Sequence, residues 1–501
     1  MQPIALSRVY QQKNSMYRLF IISLLLGSYH IGKSQSAHYT VDFTSHSDKR
    51  VNIKAEFKDF NTQNLSMFVH PSEGVPQGEA GFIDNLTASN SSGQLAVKYL
   101  DLGEWKVSGK NSGSFSINYA VKLEHDKYAW FEAGGLDEVS YHTEDGYFFT
   151  GYSLFLFPAI QDLQSLKNVT VSFILPENWK VSTPWTLANN SSYEVSPDLR
   201  YLLNNCLFVG SHIEEVIEVN GFELRMAYAK EMEGARDSFR KLMEETLEQT
   251  TTIFGGSLSS QYLIVLQPHD MTDGGAFRGS FSQIINGEIN ETSRVTWGHT
   301  MIHETIHLWN GLSLQPTTQE EWFKEGFTDY LSMLIESRSG INSPDLVLKR
   351  LEKMYSRYVI GKFIQRTPES LQQSGNRKQE IRSLVYGGGS LFALALDIEL
   401  REATNNQKGL DDLMKYLFES FAQKGKTYSH QDILNAANTI ANKDLSSLFS
   451  TYLLSTEFKD FLPYFQRIGL DAYPFLEELY LSISPQSTTE QTKIRNAIFG
   501  F

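Results

Sequence analysis

The run His303-Glu304-Thr305-Ile306-His307 sets two imidazoles four residues apart with a carboxylate between them. On an α-helix, positions i and i+4 share a face, so both histidines can reach one ion, and this ligand pair suits zinc. Glu304 is rotated about 100° from His303. Its carboxylate therefore lies beside the ion, where it can take a proton from an activated water rather than serve as a ligand. The flanks Thr300-Met301-Ile302 and Leu308-Trp309 are apolar on several faces, as a helix buried in a core requires. His299 lies on roughly the same face, but the eight residues to His307 rise about 12 Å, so the two cannot share one ion on an unbroken helix. His299 is expected to be structural or cleft-lining.

A catalytic zinc needs a third protein ligand and an open position. Residues 321–330 read as a second helix in which Trp322, Phe323, Phe327, Tyr330 and Leu331 form an apolar stripe. Glu325 sits within that stripe, where a carboxylate is costly to bury unless it is paired or binds a metal. Asp329, one turn further on, is placed to hydrogen-bond the outer nitrogen of a ligand histidine and fix its tautomer.

These residues resemble the gluzincin metallopeptidases, specifically the glycyl aminopeptidase and aminopeptidase N-type families. Both groups carry His-Glu-x-x-His, usually followed by Trp, and then a helix reading Glu-Gly-Phe. Here the matching residues are His307-Leu308-Trp309-Asn310 and Glu325-Gly326-Phe327, with 17 residues between His307 and Glu325. The resemblance implies that Glu325 is the third ligand of a single Zn²⁺. It also implies that Tyr386, ahead of Gly387-Gly388-Gly389 and an apolar helix over 390–401, steadies the oxyanion of the tetrahedral intermediate. Gly388 stands where the relatives favour Lys.

By the same resemblance, Asp273-Gly274-Gly275-Ala276-Phe277-Arg278-Gly279 corresponds to a Gly-rich edge strand that aligns the substrate backbone. Gly274, Gly275 and Ala276 would let a peptide strand approach and pair. Phe277 occupies the position of the acid that grips the free amino terminus in the relatives, which leaves end specificity open. Asp273, Glu288 or Glu291 could supply the anion instead, and Arg278 could meet a substrate carboxylate.

Arg18 followed by the apolar run 19–27 has the pattern of a signal peptide, too short to span a bilayer. Cleavage after Ser36 is expected, with Met1 or Met16 as the start, so the mature chain is expected in the periplasm or outside the cell with no stable membrane span. One cysteine, Cys206, excludes an intrachain disulfide and a Cys-based zinc site. Acids outnumber Lys plus Arg by 58 to 44, a formal charge of −14, which argues against nucleic acid as a partner.

Over 37–220, short alternating runs broken by Asn, Gly, Ser and Pro predict an all-β, sandwich-like domain. The aromatic cluster 146–152 is expected to pack against the next domain. Helical spacing through 239–253, a buried strand at 262–266, the Gly-rich edge strand and the motif helix, in that order, suit a thermolysin-like α+β catalytic domain over 221–340. Helices then continue over 341–475 and complete the active site, and 476–501 is expected to be a tail too short for a complete PDZ domain. The fold class is thus multidomain α+β with a helical C-terminal region. The expected activity is hydrolysis of peptide bonds in peptide or protein substrates by zinc-activated water, aminopeptidase-like. The alternative is a catalytically weakened, zinc-containing peptide- or protein-binding protein.

Overall fold

The computed structural model describes residues 34–45, 49–72, 74–128, 130, 139–363 and 368–501. All but the last three residues of the expected signal peptide lie outside that range. Residues 35–501 form one compact unit.

The β-rich part opens with strand Ser36–Asp42, whose Ala37, Tyr39 and Val41 point inward while their neighbours face out. Strand Arg50–Lys58 pairs with it antiparallel and buries Val51, Ile53, Ala55 and Phe57. This period-2 alternation marks a sheet with one face on a core. Eleven strands form the main sheet, and a four-stranded sheet stands against it through a shared apolar core. The aromatic strand Gly146–Thr150 belongs to the smaller sheet, with Tyr147, Phe148 and Phe149 fully buried.

The sheet that carries the site has five strands in the order Ile213–Val219, Phe222–Tyr228, Gln261–His269, Ser280–Asn286 and Asp273–Ala276. The three inner strands run parallel, and Asp273–Ala276 lies antiparallel at the edge. Tyr262, Ile264 and Leu266 face the helices, while Leu263 and Val265, with Ala227, join the core of the β-rich part. A sheet buried on both faces needs apolar residues on both, which is why 262–266 is a continuous run rather than an alternation.

Helix Arg236–Phe254 ends at Gly255 in the left-handed conformation, and the motif helix Glu291–Ile306 starts at an Asn290–Ser293 capping box. Helices Pro344–Phe363, Gly389–Ala403, Leu410–Ser420 and His430–Ala441 complete the helical part. The architecture is multidomain α+β with a β-rich N-terminal part and a helical C-terminal part.

Three boundaries differ from expectation. Position 220 falls inside the hairpin formed by Ile213–Val219 and Phe222–Tyr228, so the central sheet begins before it. No boundary falls at 340, because helix Thr328–Arg338 and the later helices share one apolar core. Residues 476–501 are not a tail: Glu478–Ile483 closes a hairpin on Leu470–Phe475, and helix Thr489–Phe499 buries Ile494, Ile498 and Phe499. Ser337 and Arg338 donate side-chain hydrogen bonds to the Phe499 and Ile498 carbonyls at 2.7 and 2.8 Å. Among the described residues no helix is long and apolar enough to cross a membrane.

Candidate active site

The motif helix ends at Ile306 with His307 as its C-cap, still in helical conformation, so the i, i+4 relation survives the helix end. The two imidazoles stand edge to face with centroids 4.7 Å apart. Trp309 fixes this end of the helix by donating its indole N–H to the Gly256 carbonyl at 2.6 Å and packing on Phe254 and Phe222. The His307 Nδ1 lies 3.0 Å from the Asn310 carbonyl, so that nitrogen carries the proton and Nε2 is left as a ligand atom.

Glu325 arrives from an element that 3.6-residue periodicity does not describe. Trp322–Phe327 is a π-helical turn running into helix Thr328–Arg338. Asn310 donates its side-chain amide toward the Phe323 and Lys324 carbonyls of that turn, at 3.2 and 3.3 Å, and to the Thr328 hydroxyl at 3.1 Å. One amide therefore ties the end of the motif helix to the turn that presents Glu325. Such π turns recur where a side chain must be re-aimed at a functional site.

A second π turn, Leu384–Gly388, precedes helix Gly389–Ala403. Tyr386 sits inside this turn, ahead of the helix as the sequence reading has it. The two π turns meet backbone to backbone: a Cβ on Gly326 would collide with Gly389, and one on Gly389 with the Trp322 carbonyl. Gly387 packs as closely against Met354 and Tyr358 of the neighbouring helix. The glycines allow the approach that brings Glu325 and Tyr386 to one place.

The result is a convergent donor set. Glu325 Oε2 lies 3.3 Å from Nε2 of His303 and 3.3 Å from Nε2 of His307. Two donors bonded at about 2.0–2.1 Å to a tetrahedral ion stand about 3.3–3.4 Å apart, so the spacing and the N, N, O chemistry fit zinc. His303, Glu304 and His307 also hold donor atoms within 4.8 Å of one another. Glu325 is 2 % exposed, and its other oxygen is held by Lys378 at 2.6 Å and Lys324 at 3.3 Å. Burial opposes its charge, but His307, His303 and Lys324 hold the carboxyl well below its usual range. Burial pushes His303 down to about 4, which favours its neutral, ligand form at neutral pH.

Asp329 differs from expectation. Its Oδ1 is 3.8 Å from His303 Nδ1, too long for a hydrogen bond, and 2.9 Å from Nε2 of His299. The other His299 nitrogen lies 3.1 Å from Glu336, so this partly buried ring donates to a carboxylate on each side and is an imidazolium. Arg357 and Arg350 pair with Asp329 and Glu336 in turn. His299 is thus the centre of a charged strut between the motif helix and the ligand helix.

Tyr386 stacks on His303 at 5.9 Å between ring centroids, and Arg382, one turn earlier, lies over the Tyr386 ring at 5.6 Å. Burial first, then the Glu325 charge, holds the phenol well above its usual pKa, so it remains a proton donor. On the opposite side, the edge strand lies against the motif helix: a Cβ on Gly274 would stand 3.3 Å from both Glu304 Cγ and Thr300 Cγ2. Gly275 and Ala276 continue that strand toward the hairpin tip, while the Phe277 side chain is buried in the core of the β-rich part. Arg278 is exposed at the tip, with its backbone N–H on the Asn204 carbonyl. Glu291 cannot stand in for the missing acid: it is paired with Arg294 twelve residues before His303, roughly 18 Å along the helix, and Glu288 precedes that helix. Sequence reasoning assigned no role to Lys378, Arg382 or the Asn310 side chain. Only Asn310 carried a signal, as part of the Trp-Asn pair after the motif.

A fold and donor set of this kind define a gluzincin-type peptidase. The family comparisons agree: residues 38–210 match the peptidase M61 N-terminal domain, and residues 297–386 match the M61 glycyl aminopeptidase domain. The two matches together span more than half of the sequence, and the chain belongs to that family. Among solved structures, an aminopeptidase N family protein from Idiomarina loihiensis is similar at a TM-score of 0.73 and 18% identity, over 87% of this chain and 79% of that one. An M1 zinc metallopeptidase from Deinococcus radiodurans is similar at 0.54 and 12% identity, over 86% and 95% of the two chains. At these identities the likeness is one of fold. No curated protein matches the sequence.

Proposed function

We propose that the protein is a zinc-dependent aminopeptidase with a thermolysin-like catalytic domain, exported by its N-terminal segment. The observation that carries the zinc assignment is the single carboxylate oxygen of Glu325 standing 3.3 Å from both motif imidazoles. His303, His307 and Glu325 hold the ion, which when bound acidifies water and polarises a carbonyl. Glu304 takes the proton of the attacking water and passes it to the leaving amine. Tyr386 donates its phenolic proton in a hydrogen bond to the oxyanion. Gly274, Gly275 and Ala276 pair with the substrate backbone along the open edge of the sheet.

The aminopeptidase reading is supported by family membership. Phe277, buried where relatives carry an acid, favours a second reading: a protein that holds zinc and binds peptides without cleaving them. A peptide-library digest with and without chelator separates the two. Chelator-sensitive release of single amino-terminal residues is expected, and the variant Glu304→Gln should keep its zinc while losing hydrolysis by orders of magnitude. Unchanged turnover in Glu304→Gln would sink the mechanism. Secretion assays of the full chain and of a variant with charges in the 19–27 run test export.

A further inference from the structure

We infer that Lys378 is a positioning residue that limits Glu325 to one ligand oxygen and so keeps a coordination position open for water; this rests on the zinc ligands of the proposed peptidase. The two oxygens of Glu325 have separate tasks. Oε2 stands 3.3 Å from Nε2 of both His303 and His307, whereas Oε1 accepts from Lys378 Nζ at 2.6 Å, with Lys324 Nζ 3.3 Å from the same atom. An ammonium carries only donors and a carboxylate oxygen has two lone pairs, so two cations on Oε1 leave it nothing to offer an ion. A carboxylate can bind a metal through one oxygen or through both. Bound through both, Glu325 would crowd the position that a catalytic zinc keeps for water.

Lys378 is built into its place. Its Nζ also lies 3.3 Å from Glu321, four residues before Glu325, so two acids of the ligand segment bracket the ammonium. The backbone around it is closed by the Glu380 and Ile381 N–H groups, which donate to the Arg377 carbonyl at 2.9 and 3.1 Å. Gly375, just upstream, sits so near the chain leading into the ligand turn that a Cβ there would stand 2.9 Å from the Gln319 carbonyl oxygen and 3.3 Å from Glu321 Cβ. Lys324 is the lesser restraint. Its contact with Oε1 is longer, and it belongs to the same π turn as Glu325, so it moves with the carboxylate. Lys378 acts from a separate segment 53 residues further on and can hold the carboxylate against rotation toward the ion.

The test loads the full chain with Co²⁺, whose visible absorption reports coordination geometry and weakens as the coordination number rises above four. Lys378→Met is expected to weaken that absorption without loss of metal affinity, read by competition with a chelating dye, while kcat for peptide hydrolysis falls about 10–100-fold. Lys378→Arg should restore the absorption, and Lys324→Met should leave it as in the unmutated protein. Thermal melting checks that each variant folds, and Lys378→Gln gives the same reading in place of a Met variant that does not. An absorption unchanged by loss of Lys378, or one changed equally by Lys324→Met, overturns the inference and leaves the peptidase reading standing. So does metal binding weakened about 10–100-fold at constant absorption, the result of a merely structural contact. A protein that shows the expected absorption change but cleaves no peptide keeps the role of Lys378 and loses the peptidase reading.

Discussion

Replacing Gly326 by Ala should disable the site from a position that touches neither substrate nor metal. The added methyl would stand 2.8 Å from Ser390 N and inside the contact distance of Gly389. Restoring ordinary carbon contacts of about 3.5–4.0 Å requires the two π turns to separate by about 1 Å. Overpacking of this kind costs about 1–3 kcal/mol, and the better helix propensity of Ala returns about 1 kcal/mol, leaving a net loss of about 0–2 kcal/mol. The effect on chemistry should be larger. One turn carries Glu325 and the other Tyr386, so a separation of about 1 Å lowers kcat/KM by about 10²-fold. Peptide hydrolysis and thermal melting of Gly326→Ala are measured beside Gly234→Ala, where a Cβ meets nothing within 4 Å. Full activity in Gly326→Ala would show that the turns do not need this approach and would refute the reasoning.

Asn310→Ala removes the amide that serves the Phe323 and Lys324 carbonyls and should cost about 1–3 kcal/mol in melting experiments, with metal affinity about 10–100-fold weaker by competition with a chelating dye. Unaltered metal affinity would remove Asn310 from the account of how Glu325 is aimed. The His299 strut predicts a pH signature. Burial and Arg350 oppose its charge, but Glu336 and Asp329 raise its pKa above 6.5 in the folded state. Its stabilisation is therefore fully present below the unfolded pKa and lost as pH rises through the folded value. The melting temperature gap between wild type and His299→Gln should be widest near pH 6 and shrink at alkaline pH; a gap that widens with pH contradicts the imidazolium assignment.

What could be read in the sequence followed from short-range spacing. His303 and His307 declare themselves because i and i+4 share a helical face, and Glu325 because a carboxylate among Trp322, Phe323 and Phe327 has to answer for its burial. The partners of Asp329 were not legible: His299 lies thirty residues earlier on another element, and only packing decides whether Asp329 turns toward it or toward His303. The π turns were not legible either, since a widened turn adds no periodicity of its own and reads as ordinary helix. Lys378 comes from an irregular stretch 53 residues beyond Glu325, where no pattern announces a contact. The boundary at 220 is displaced because Asn220-Gly221 is the turn of a hairpin within the central sheet.

The double burial of the central sheet has a consequence for how this protein can be cut and how it can change. Leu263, Val265, Ala227 and Phe277 belong to the core of the β-rich part, and Asn204 and Asn205 hold the tip of the edge hairpin. An excised catalytic segment would expose that apolar face and free the edge strand Asp273–Ala276, so the peptidase has no autonomous module and should unfold in one cooperative step. A change in helix Leu199–Leu203 or the loop that follows it can accordingly shift the edge strand, far in sequence from every residue of the His303–His307 motif.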